Sequence, residues 1–112
     1  MVHVAIAVLT VAVLVAMSAR ANRRFKGEAR LPMQWSFKGS VNWTAPRFVA
    51  LAFNPVLGTA CLLWFAAMAA YSEPRAGQED LVVPVNIFVA LIIIGAHAFH
   101  LWLIERTLRN KI

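Results

Sequence analysis

Leu81-Val-Val-Pro-Val-Asn-Ile-Phe-Val-Ala-Leu-Ile-Ile-Ile-Gly-Ala-His-Ala-Phe-His-Leu-Trp-Leu-Ile104 runs for 24 residues without an Asp, Glu, Lys or Arg. At about 1.5 Å of rise per residue, a helix of this length crosses the roughly 30 Å hydrocarbon core of a bilayer. In that medium the backbone must satisfy its own hydrogen bonds, and an unbroken apolar run does so as a helix. Two further stretches read the same way. One extends from Val2 to about Ala19, interrupted only by His3, Thr10 and Ser18, and the other from Phe48 to Tyr71. No period-2 alternation of the barrel-strand kind is present.

The whole chain agrees with its spans. Of its 112 residues 61% are hydrophobic and 14% charged, against roughly 45–50% and 25% in soluble domains. A water-soluble domain this small has too little interior to hide so much apolar surface. A soluble enzyme, a nucleic-acid-binding domain and a disordered tail are therefore excluded. The pI near 10.8 is assigned to topology and anionic lipid, because the cations lie between and after the spans. The single cysteine, Cys61, rules out an intrachain disulfide and is expected to pack as a small buried hydrophobe.

The predicted fold is an all-α membrane protein with three transmembrane helices. Crossings are expected at about 2–19, 47–71 and 81–105, with an interfacial loop at 20–46, an outer loop at 72–80 and a tail at 106–112. Ala19-Arg20-Ala21 fits a signal-peptidase site, but no cation precedes the first span and four follow it closely, so a retained anchor is expected. Between Arg20 and Arg47 seven cations face the single acid Glu28; residues 72–80 hold three acids and one Arg; the tail is basic. The positive-inside rule then places the first loop and C-terminus in the cytoplasm and the N-terminus outside, in a bacterial inner membrane. The turn-rich 72–80 segment makes helices 2 and 3 an antiparallel hairpin.

Polar residues inside spans are the candidate functional groups, since lipid penalises them. Asn54-Pro55 falls in the second span. Pro55 removes one backbone bond and predicts a kink near 50–54, with Asn54 reaching either the freed carbonyl or a neighbouring helix. Ala50, Asn54 and Gly58 form a small-residue strip suited to close packing against the first or third helix, with a dimer face as the alternative. On the third helix, at about 100° per residue, Asn86, Ala90, Ile93, His97, His100 and Ile104 share one face. His97 and His100 have several readings: hydrogen bonding across an interface, an axial ligand for haem or a bacteriochlorophyll-type pigment, a proton relay, or a metal site. No cofactor is the leading expectation, and no catalytic constellation is found.

The loop segment 30–47 interleaves Trp35, Phe37 and Trp43 with Arg30, Lys38 and Arg47. This is the composition of chain lying among lipid headgroups, serving as an anchoring belt or a partner-binding loop. Gly39 permits a tight reversal between the aromatics, Pro46 precedes the second helix, and the cations are expected to touch phosphates.

Leu31-Pro32, Trp35, Gly39 and Trp43, followed by Pro55 within a span, resemble the small domain of unknown function at the N-terminus of SdpI-type membrane (immunity) proteins. The match covers about residues 2–58. Gln34 stands where that family often has His, and the immunity proteins have more spans. The resemblance implies an integral membrane protein without known catalysis, acting by binding; SdpI-type proteins confer immunity to a secreted toxin and hold a repressor at the membrane. The expected function is accordingly non-enzymatic docking of a membrane partner, another membrane protein or a second copy, as an accessory or assembly subunit. Partner contacts are expected at Asn86, His97, His100, Trp35, Trp43 and Asn54. A cofactor-binding or proton-relay subunit and an SdpI-like immunity or signalling protein are the alternatives. A transporter is disfavoured because no span holds Asp or Glu in its interior, Glu105 standing at the very end of the third.

Overall fold

The computed structural model describes residues 2–71 and 82–110. The expected outer connection at 72–80 and the last two residues of the tail lie outside them. The described chain is mostly helical: α1 (Val2–Arg24), α2 (Arg47–Tyr71) and α3 (Val82–Arg109), with strands β1 (Arg30–Trp35) and β2 (Val41–Pro46) between α1 and α2. All three helices are long and apolar enough to cross a membrane. Their most apolar windows are only 17%, 28% and 17% buried within the protein, so the apolar side chains mostly form the outer surface, as lipid requires. Leu9, Leu63, Trp64, Phe88 and Leu91 are among those exposed. Cys61 is exposed too, which corrects the expectation of a buried thiol: its position on α2 points outward with the lipid-facing set.

Contacts fix the helix directions. Ser18 of α1 meets Leu51 of α2 and His97 of α3, Leu14 and Ile93 flank Gly58, and Arg24 pairs with Glu105. Residue numbers rise together along α1 and α3 and fall along α2, so α2 runs opposite to both. A β-carbon on Gly58 would stand 2.7 Å from Ile93 Cγ2 and 3.1 Å from Leu14 Cδ1. The missing side chain is what lets three helices meet at that level. Thr10, buried inside α1, returns its hydroxyl hydrogen to the Ile6 carbonyl at 2.7 Å and leaves no donor unmet.

A buried hydrophobic cluster lies at one end of the bundle. Ala21, Phe25, Leu31, Ala45, Ala50, Leu51 and Ile104 form a buried cluster, with Met33, Trp35, Leu101 and Leu108 packed on it. This packing explains why α1 and α3 outrun their apolar stretches: the extra turns carry Ala21 and hold Thr107 and Leu108 against the hairpin.

The segment read from sequence as an interfacial loop is an antiparallel β-hairpin. Arg30 pairs with Pro46, Leu31 with Ala45, Pro32 with Thr44, Gln34 with Trp43 and Trp35 with Val41. An extra residue in β1 follows Pro32, which has no N–H to give the ladder, and an extra residue in β2 restores the register. The tip closes through Gly39 N–H to Ser36 O at 3.0 Å and Ser36 N–H to Ser40 O at 2.7 Å. Gly39 takes φ +90° there, the left-handed residue that completes a short hairpin. Such a ribbon is marginal alone and is held by what it touches. The Arg47 guanidinium donates to Asn22 Oδ1 at 2.9 Å and to the carbonyls of Lys26 and Glu28 at 2.6 and 2.9 Å. It thereby ties the turn that follows α1 to the entry of α2, satisfying carbonyls of that turn. Arg30 binds Thr44 across the ribbon at 2.9 and 2.8 Å. Two of the three cations expected on lipid phosphates are thus engaged within the protein.

Candidate functional site: a polar seam between the three helices

The seam begins with Pro55. An α-helical N–H at position 55 would bond the carbonyl four residues earlier, at Leu51, and proline has none to give. Ser18 of α1 replaces it, donating from Oγ to the Leu51 carbonyl at 2.7 Å. Ser18 Oγ also lies 2.8 Å from His97 Nε2. A serine hydroxyl has one hydrogen, and a carbonyl only accepts. With that hydrogen given to Leu51, the second bond runs from His97 Nε2–H to Ser18 Oγ. His97 is therefore the Nε2-protonated tautomer, with a bare lone pair on Nδ1. The relay His97 to Ser18 to Leu51 links α3, α1 and α2 in turn.

Beside this relay, Asn54 Nδ2 lies 3.2 Å from His100 Nδ1. The amide NH₂ only donates, so His100 Nδ1 accepts and its Nε2 carries the hydrogen. Of the two possibilities weighed for Asn54, the neighbouring helix is the one realised, and Ser18 takes the freed carbonyl. The Trp35 indole stands edge-on to the His100 ring at 5.8 Å and 78°, while Trp35 Nε1–H donates to Thr107 Oγ1 at 2.8 Å. Thr107 passes its own hydrogen to the Leu103 carbonyl at 2.8 Å. The hairpin thus closes the end of the seam.

His97 is wholly buried, and its Nδ1 has no hydrogen-bond partner among the described residues; the same holds for His100 Nε2. None of the six residues placed on one face of α3 is exposed, and Ala90, His97 and Ile104 are buried. That face is turned into the bundle. Asn86 shares it, half-buried and with an interaction of its own, but stands eleven residues from His97, about 16 Å along the helix. It is no member of the histidine cluster.

The remaining predicted residues separate into two groups. Leu31, Pro32 and Pro55 are buried and Trp35 is half-buried; Gly39 makes the turn. Trp43 is half-exposed and its Nε1–H binds Gln34 Oε1 at 2.8 Å. Phe37, beside Lys38 at the tip, is fully exposed. Ser18 and Thr107 were not singled out from sequence, and Gln34 only as a departure from the family pattern. Ser18 had a readable signal: a hydroxyl within an apolar run, opposite a span whose proline frees a carbonyl.

His97 Nε2 is engaged by Ser18 and its ring is fully enclosed; His100 is half-buried. Among the described residues no three His, Cys, Asp or Glu side chains gather to hold a metal ion. Set against family models, curated proteins and solved structures, the chain matches none.

Proposed function

We propose that this chain is a small, non-catalytic integral membrane protein that docks a membrane partner, as an accessory or assembly subunit of a larger complex. In this reading it sits in a bacterial inner membrane, with α2 and α3 a helical hairpin joined through 72–80. The N-terminus is outside, and the β-hairpin and C-terminus are cytoplasmic, as the charge distribution favours. The observation that carries the reading is the hairpin tip. Phe37 is fully exposed and Trp43 half-exposed on a ribbon whose base is pinned by Trp35 to Thr107 and by Arg47. A rigid support presenting exposed aromatics beside a cation is the composition of a recognition surface.

This assigns different work to the polar residues. Asn54, His97 and His100 fix the helices to one another, and partner contact falls to Phe37, Lys38 and Trp43. The likeness to the SdpI-type front domain fits the same architecture, since Leu31, Pro32, Trp35, Gly39 and Pro55 each serve the hairpin or the seam. An immunity or signalling role of that kind would be one form of docking. Photo-crosslinkers placed at 37 and 43 in native membranes test the proposal, with Leu63 on the lipid-facing side of α2 as control. Discrete protein adducts are expected at 37 and 43 and none at 63. Lipid adducts alone at all three positions would rule docking out.

A second reading, a proton-relay subunit, rests on the two ring nitrogens of His97 and His100 that lack partners. Proton flux in liposomes abolished by His97→Gln would favour it over docking.

A further inference from the structure

Between the hairpin tip and the last turns of α3 lies a groove of about 450 Å³, lined by Trp35 to Gly39 on one side and by Leu103, Arg106, Thr107 and Asn110 on the other. That size is ample for a small ligand. Its charge is one-sided. Lys38 and Arg106 line it and no acid does; the nearest acid in sequence, Glu105, is paired with Arg24.

The side-chain donors on its walls, and the N–H of Gly39, can be accounted for one by one. Gly39 N–H is given to Ser36 O, and Thr107 is saturated between Trp35 and Leu103. Ser36 Oγ accepts from Ser40 N–H at 3.1 Å, which leaves its own hydrogen to give. Lys38, the Asn110 amide and the Arg106 guanidinium, which stands 5.5 Å over the Trp102 ring, complete the set. Phe37 and Leu103 supply an apolar edge.

We propose that this groove binds the phosphate of an anionic phospholipid, held by Lys38 and Arg106 with Ser36 and Asn110 as hydrogen-bond donors. The argument rests on where the groove lies: at the end of an apolar span, beside Trp35 and Trp102, where headgroups meet hydrocarbon. The carbonyl end of α3 opposes an anion at this place. A freely diffusing phosphate must overcome that repulsion with two cations in water. A lipid arrives already concentrated in the membrane plane and adds acyl contact with Phe37 and Leu103. This favours the lipid over the free ion, and the inference stands without the docking reading, with which it shares Phe37 and Lys38.

The test uses the full chain purified in mild detergent, with native mass spectrometry of lipids retained from equimolar phosphatidylglycerol and phosphatidylcholine. Preferential retention of phosphatidylglycerol is expected. Replacing Lys38→Gln and Arg106→Gln should lower the preference about fivefold per cation. Arg23→Gln with Lys26→Gln removes equal charge from the end of α1 and should leave the preference unchanged. Far-UV circular dichroism and detergent melting confirm that both double variants fold, and Arg106→Lys should retain most of the preference. Equal losses in groove and control variants would overturn the site in favour of diffuse surface charge. Displacement of the lipid by millimolar inorganic phosphate would overturn the lipid assignment.

Discussion

Ser18→Ala tests the central feature of the seam. The substitution removes one oxygen and two bonds: the donation to the Leu51 carbonyl and the acceptance from His97 Nε2–H. Interhelical hydrogen bonds within membranes contribute on average about 0.6 kcal/mol and at most about 1.7, so the combined loss should be about 1–3 kcal/mol. The revealing comparison is with Pro55→Ala. An alanine there restores an N–H one turn after Leu51, and the carbonyl no longer depends on α1. In that background Ser18→Ala should lose only the His97 bond and cost about 0.5–1.5 kcal/mol. The two substitutions should therefore couple by about 0.5–1.5 kcal/mol. Reversible unfolding of the four chains in mixed micelles with rising dodecyl sulfate supplies the free energies. An isotope-edited infrared band of the Leu51 carbonyl reports the bond directly: it should shift on Ser18→Ala with Pro55 present, and stay put with Ala at 55. Additivity within about 0.3 kcal/mol, with an unshifted band, would refute the account of what Pro55 leaves open.

Other outcomes follow from single positions. Gly58→Ala drives a β-carbon onto Ile93 Cγ2 and should cost about 1–3 kcal/mol in micellar unfolding; Ile93→Ala in the same chain should recover part of it, and a fully stable single variant would deny the close approach. Gly39→Ala meets no neighbour, but its φ of +90° costs an alanine about 1–2 kcal/mol. The damage should be local, seen as faster proteolysis at the tip with unchanged helical circular dichroism. Trp35→Phe keeps a ring beside His100 and loses the 2.8 Å bond to Thr107, so amide exchange across 30–46 should quicken by about 0.5–1.5 kcal/mol of lost protection; unchanged exchange would mean the hairpin is held elsewhere. Protein purified from haem-supplemented cells should show no Soret band, and a band abolished by His97→Leu would favour the cofactor reading.

The parts legible in sequence were those governed by solvent. Three apolar runs had to be helices because lipid offers the backbone no partner, and the α3 face holding both histidines had to turn inward for the same reason. Gly39 was legible because only a residue without a side chain enters its conformation freely. The seam was harder to read because it depends on pairing across helices. Pro55 announces an open carbonyl at Leu51, but which of Asn54, Ser18 or a more distant group closes it is decided by how α1 lies against α2. The β-hairpin escaped notice because its strands are short and interrupted, and their aromatics were equally consistent with a headgroup belt. Arg47 read as one more lipid-facing cation; its gathering of carbonyls from the α1 exit turn becomes visible only once the two helix ends adjoin.

The paired irregularities of the hairpin carry one more consequence. Because the surplus residue of β1 is offset by one in β2 before Trp35 meets Val41, neither is a free insertion. Shortening one strand by a single residue slides the tip one place along its opposite number, away from the indole's seat on Thr107. Shortening both restores the match. The two strand lengths are therefore coupled: a one-residue deletion in either should loosen the Trp35–Thr107 bond, and a matched deletion in both should keep it.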